Sequence, residues 1–345
     1  MVNFPYNSTD FAFTLEDSFI SFTTETADTY FDLKVTIISF DFFSAVEKEK
    51  VLEYKIPLLN QAQTFNIGRK IHRYLTNLTA YTNAFGFMYK TAKVTFEATE
   101  INIADENIVS TVTLEDVQFI AGKTPKLLEN NIALLSNNTN YERVTENGLF
   151  IVNLLLPIGD HVLKVFKNGL EQTTSTLSVA GNNNVFSKKI NVKDFNGTKG
   201  DVFQFAIANT SIKKHFVVFP NNVTSKQLVF IDEFKLFRVL ECTGHYSFPD
   251  EYDQITHTYY RNLVEVLEII ETTETNKLKI NTGWVLKTDT ETLSTISKFK
   301  RVFLIENDEQ ILDMVIKAKK LTKEDTEAEL YEYDLEFQIN HNSNA

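Results

Sequence analysis

The sequence predicts a mainly β protein: two or three antiparallel β-sandwich-like domains with a few short helices, the middle domain immunoglobulin-like. Three observations carry that prediction. In 345 residues, 29 Phe and 13 Tyr stand against 11 Gly, 6 Pro and 3 Met, which favours aromatic-packed strand layers over glycine-rich nucleotide folds. Short runs rich in Phe, Val, Ile and Thr show partial period-two alternation, the mark of half-buried strands. Turn signals recur at short spacing through the middle third, as in sandwiches.

Residues 1–124 read as a β-domain with one helix. Strands are expected over Phe19–Thr24, Tyr30–Phe40, Lys50–Leu58, Ala92–Ala98 and Ile108–Phe119. Asn66 is placed to cap a helix whose Ile67, Ile71, Tyr74, Leu75 and Leu78 form one apolar stripe, since residues three and four apart share a helix face. Arg69, Lys70, His72 and Arg73 fall on the opposite face, a basic patch for solvent or a subunit contact.

Residues 125–220 read as the immunoglobulin-like sandwich. Asn147-Gly148, Asn168-Gly169 and Asn196-Gly197 are candidate type I′ hairpin turns, and Pro157–Asp160 a fourth turn, because Asn and Gly tolerate the positive φ these turns need. His161 follows Gly159-Asp160 where such sandwiches often carry an aromatic; it is read as a substitute for the tyrosine corner.

Residues 221–345 read as an acidic α+β module. A long strand is expected around Asn262–Glu271, a capping box at Thr288–Glu291 with Leu293, Ile296 and Phe299 following at helical spacing, and a strand over the alternating Tyr331–Ile339. The formal charge is −12, and this region's 23 acidic and 14 basic residues hold most of it. A chain that repels phosphate is not expected to bind nucleic acid directly.

The single Cys242 excludes an intrachain disulfide, so packing must hold the fold. Met1–Asn7 has no basic or apolar leader character, and the longest apolar stretch, Leu149–Ile158, is broken by Asn153; neither export nor membrane insertion is expected.

The common catalytic constellations are missing: there is no Gly-x-Ser-x-Gly elbow, dinucleotide fingerprint, Walker loop or His-Glu-x-x-His. Cys242-Thr243-Gly244-His245 with His257 lacks the second ligand pair of a zinc site. The clusters Asp250, Glu251, Asp253 and Glu306, Asp308, Glu309 lack the glycine and terminal glutamate of a calcium loop. Phe248–Tyr252 reads as a proline-anchored turn rather than a sugar platform. No catalytic residue, metal or cofactor is assigned.

Ile231-Asp232-Glu233-Phe234-Lys235-Leu236-Phe237-Arg238-Val239-Leu240-Glu241-Cys242-Thr243-Gly244, then Asn281-Thr282-Gly283-Trp284, Leu293–Lys298 and the alternating final strand resemble a C-terminal module of virion structural proteins from tailed phages of Bacteroidetes hosts. Phe65-Asn66-Ile67-Gly68 is similar to their N-terminal module. The resemblance implies a non-enzymatic tail, tail-tip or baseplate, or collar or fibre-attachment ring component. Such a protein is assembled in the host cytoplasm in symmetric copies, and its partners are copies of itself and other tail proteins. The alternative is a receptor- or glycan-binding module at the tail tip, with a host surface glycan as partner. Phe230, Phe234, Phe237, Trp284, Tyr331, Tyr333 and Phe337 are the candidates for assembly and packing, as aromatic anchors carry such contacts.

Overall fold

The computed structural model describes residues 1–25, 28–40, 46–75, 85–88, 91–136, 141–181, 184–222, 224–261, 264–286, 293, 296, 301–306, 309–317 and 330–340. The chain is mainly β, and its strands fall into three successive groups.

In the first group a five-stranded sheet, ordered Phe11–Phe13, Ile108–Ile120, Thr91–Asn102, Thr29–Phe40, Glu47–Pro57, shares a core with a smaller sheet of Val2–Asn3, Ile20–Thr23 and Ala62–Phe65. Alternate residues Phe31, Leu33, Val35 and Ile37 point into that core, as the two-residue period of a pleated strand requires. One helix, Gly68–Tyr74, closes it with Ile67, Ile71 and Leu75. Asn66 Oδ1 accepts the Gly68 N–H at 3.1 Å. Tyr74 does not join the stripe and is 39% exposed, because the helix ends there and Leu75 is already extended. Leu78 lies outside the described residues.

The middle group is a two-sheet sandwich. The inner sheet runs Leu128–Glu129, Ile132–Leu134, Leu149–Leu155, Val185–Asn191, Gly86–Phe87, so its last strand arrives from the first segment. The outer sheet runs Glu142–Thr145, Lys213–Phe219, Val202–Ile207, Gly159–Lys167, Leu170–Val179. Phe150 stacks on Phe216 with ring centroids 3.9 Å apart at the centre of the core between them.

Of the expected Asn-Gly hairpins, Asn168 and Gly169, both at positive φ, join two paired strands. Asn147-Gly148 and Pro157–Asp160 instead carry the chain from one sheet to the other. Gly148 and Gly197 are needed for space, since a Cβ would lie 2.3 Å from Glu241 Oε1 in one case and 2.3 Å from Val192 Cγ1 in the other. His161 Nε2 lies 2.8 Å from the Pro157 carbonyl four residues upstream, tying down the crossover as a tyrosine corner does.

The strand Leu149–Leu155 is buried along its whole length. Phe150, Val152 and Leu154 face the outer sheet, while Leu149, Ile151 and Leu155 face a second core that holds residues of all three groups. That second core joins Phe13 and Ile120 of the first group to Val229, Phe234, Phe237 and Phe303 of the third.

The third group is built on a large sheet, ordered Phe237–Cys242, Lys226–Ile231, Val302–Glu306, Glu309–Ile316, Asp334–Ile339, Val264–Asn281, Tyr246–Ser247, with Asp250–Arg261 paired to the free part of Val264–Asn281. The long strand expected around Asn262–Glu271 is present as Val264–Asn281; its partner was not expected, since Asp250–Arg261 pairs back along it up to Arg261↔Val264, making a hairpin. The alternating tail also divides, Leu330–Tyr331 pairing with Val285–Leu286 and Asp334–Ile339 entering the large sheet. The proposed capping box Thr288–Glu291 lies outside the described residues; Leu293 and Ile296 are buried in the third core.

Asn153 is the polar member of the doubly buried strand. Its Nδ2 donates to the Phe237 carbonyl at 2.9 Å and its Oδ1 accepts from Ser187 at 2.6 Å. Asn153→Ala removes both of these buried hydrogen bonds and should lower the unfolding free energy by about 1–3 kcal/mol, measured by urea denaturation; an unchanged midpoint would contradict the bridging role.

Candidate functional site

Two features stand apart from ordinary sandwich packing: a turn that plugs the junction of the three groups, and a two-stranded arm that leaves the third.

The plug is the turn between the paired Ile231 and Phe237. Asp232 Oδ1 accepts the N–H groups of Phe234 and Leu236 at 2.9 and 3.2 Å, a local turn an aspartate makes with its own backbone. Lys235 adopts φ 59° at its apex. The turn drives Phe234 into the shared core against Gly122, where a Cβ would lie 2.5 Å from the ring. Lys235 Nζ donates to the Leu75 carbonyl at the end of the first-group helix, at 2.6 Å. Burial lowers its pKa to about 8.

Burial, then the Lys235 charge, lower His72 to about 4, so its ring is neutral at pH 7. Nδ1 can then accept from the Thr14 hydroxyl 2.8 Å away, while Thr14 Oγ1 accepts the Gly122 N–H at 3.2 Å.

Buried ionic groups fasten the other side. Arg238 donates to Ser136 Oγ at 2.9 Å and pairs with Glu142, which Lys214 also meets at 3.0 Å. Burial pushes the Glu142 carboxyl up, but Arg238 and Lys214 outweigh it and hold the pKa below the usual range. Asp232 and Glu241 go the other way, burial raising each to about 7 despite Arg238 beside the first and the Thr145 N–H and Gln227 amide on the second. A polar recess of about 240 Å³ opens beside Glu241, bordered by Asn147, Lys193, Asn221, Gln227 and the Lys226–Glu306 pair. Glu241 Oε2 is sealed from solvent and has no hydrogen-bond partner.

The arm is the hairpin Asp250–Arg261 with Val264–Asn276, register-matched from Asp250↔Asn276 to Arg261↔Val264. Twelve residues at about 3.3 Å each give a ribbon roughly 40 Å long. At its root Lys277 sits buried between Glu336, 2.8 Å away, and Glu251. Those two partners raise its pKa. Beyond the root no third strand pairs with the ribbon among the described residues. Tyr252, Ile255, Val264, Leu267, Ile269 and Ile270 are all exposed, Leu267 by 67%.

The sequence-predicted aromatics separate into distinct environments. Phe234 and Phe237 lie in the junction core, Phe230 and Phe337 in the third core, and Tyr333 is half-buried beside the latter. Tyr331 contributes backbone pairing with Val285. Trp284 is not packed: it is 62% exposed after Gly283 turns the chain at φ 65°, and only its carbonyl is held, by Arg143. Sequence reasoning missed the arm and the exposed Ile255, Leu267 and Ile270, whose signal was an apolar strand with no second strand expected to cover it. Cys242 lies in the third core, where burial raises its pKa to about 12, and His257 stacks beside Tyr259 on the arm; the two do not form a ligand pair. Among the described residues no three His, Cys, Asp or Glu side chains gather as a metal site, and no helix is long and apolar enough to cross a membrane.

No family model and no curated protein matches the chain. The chain aligns with the calcium binding domain CBD12 of CALX1.1 at 12% identity and TM-score 0.18, covering 60% of this chain and 79% of that one. It aligns with the I9-I11 tandem from titin at 12% identity and TM-score 0.20, covering 81% and 94%. At such scores neither likeness bears on function.

The raised pKa of Glu241 fixes the sign of a pH effect. Its contribution is intact below its ordinary value of 4.5 and is lost as pH rises through about 7. Glu241→Gln should match the wild type at pH 4.5 and exceed its stability at pH 8.5 by on the order of 2 kcal/mol, read by denaturant unfolding. Equal pH slopes for the two proteins would refute it.

Proposed function

We propose that this chain is a non-enzymatic structural component that acts through protein–protein interfaces in symmetric copies. With the sequence resemblance, that makes it a virion protein of a tailed phage, in the tail, its tip or baseplate, or a collar or fibre-attachment ring, assembled in the host cytoplasm.

The observation that carries this reading is the arm. A two-stranded hairpin with both faces in water has little apolar burial to offset the entropy of ordering it, and is marginal alone. This one exposes Tyr252, Ile255, Leu267 and Ile269, and large exposed apolar surface marks interaction sites. Arm residues 250–276 also carry seven carboxylates and a single arginine, which keep the ribbon soluble before it is covered. The plug supports the same reading from the other side, because it holds the three groups as one frame from which the arm can be presented.

Replacing residues 252–274 by Asn-Gly, which retains the paired Glu251 and Thr275 and so closes a hairpin in register, tests it. The shortened chain should keep its thermal transition within a few degrees, and its amount in purified particles should fall at least about tenfold, as loss of a whole interface predicts. A shortened chain incorporated at the wild-type level would overturn the proposal.

A further inference from the structure

Pairing register assigns the arm two unlike faces, because cross-strand partners share a face. On one, Asp253, Ile255, His257 and Tyr259 stand opposite Thr273, Glu271, Glu268 and Val266 respectively. Ile255 therefore lies between Asp253 and the carboxylates of Glu271 and Glu268. None of these three acids has a hydrogen-bond or ion-pair partner among the described residues. The face is apolar at its centre and anionic along its length.

The complement is on the first group. Arg69, Lys70 and Arg73 are exposed on the helix Gly68–Tyr74, whose first turn holds no acidic residue. No carboxylate pairs with them among the described residues. Arg69 and Arg73 are four apart and Lys70 and Arg73 three apart, so the three cations form one patch, with half-exposed Tyr74 beside it. In a chain of formal charge −12, an unneutralised cationic patch next to an aromatic is the surface that opposes the arm in both charge and polarity.

We propose that the arm of one copy docks by this face on the helix Gly68–Tyr74 of a second copy. The inference rests on the assembly reading and names its partner. Ile255, Tyr259 and Val266 cover Tyr74, while Glu268 and Glu271 meet Arg69 and Arg73. Arm and helix are different patches of the chain, so the contact is head-to-tail and passes from copy to copy, closing as a ring or extending as a filament.

Charge swaps in the full chain test this by sedimentation velocity. The wild type should self-associate at low salt, and the association constant should fall at least about tenfold between 50 and 500 mM NaCl, because exposed charge pairs are screened. The arm variant E268R/E271R and the helix variant R69E/R73E should each be monomeric at concentrations where the wild type associates. Mixed in equal amounts they should associate again, since each arm then faces a helix of opposite charge. Recovery in the mixture also shows that both variants are folded. A wild type that stays monomeric at low salt, or a mixture that does not recover, overturns the inference. If particle incorporation is still lost on shortening the arm, the assembly reading survives and the partner is a different protein.

Discussion

The structure depends on the strand Leu149–Leu155 being buried on both faces. Most sandwich strands give one face to a core and the other to water. Here every second residue enters a second core shared by the three groups. A one-residue slip would exchange the side chains that enter the two cores and carry Asn153 away from Ser187 and Phe237, so the strand fixes the middle sandwich and the junction at once. Asn153 adds direction to this nonspecific burial, because its amide is satisfied by Ser187 on one side and Phe237 on the other.

The plug completes the junction with fewer residues and more polar chemistry. Phe234 supplies volume, and its seat depends on Gly122 having no side chain. Lys235, Arg238 and Asp232 bring buried charge, which is costly unless paired and hydrogen-bonded. Arg238 and Lys214 settle Glu142 as an anion, whereas burial leaves Asp232 and Glu241 with pKa values near neutrality. The junction thus contains groups that weaken it in opposite pH directions. Apolar packing sets its strength, and the polar contacts set its geometry.

Much of this was legible in the sequence where one physical signal dominated. Thr29–Phe40 and Thr91–Asn102 alternate because one face of each lies in the first core. The Asn168-Gly169 turn was readable because both residues need positive φ. Gly148 and Gly197 misled because a glycine kept for close approach looks the same in sequence as one kept for φ. The arm was illegible because the β-branched, apolar Val264–Ile270 reads as a strand without showing what covers it, and the reversal before it has no Gly or Pro to mark it. For Trp284 the sequence left packing and assembly undivided, because its exposure is set by the Gly283 turn. The plug could not be read at all, since its meaning depends on Gly122, Leu75 and Ser136, each more than a hundred residues away.

Together these features describe a frame with a shared core from which a two-stranded arm extends. The most direct test is amide hydrogen exchange of the full chain, first isolated and then assembled, because exchange reports local opening segment by segment. The account predicts that residues 251–275 exchange fastest among the described strands in the isolated chain and slow at least about tenfold on assembly, while Leu149–Leu155 is the slowest in both states. An arm as protected as Leu149–Leu155 before assembly, or unchanged after it, would contradict the account.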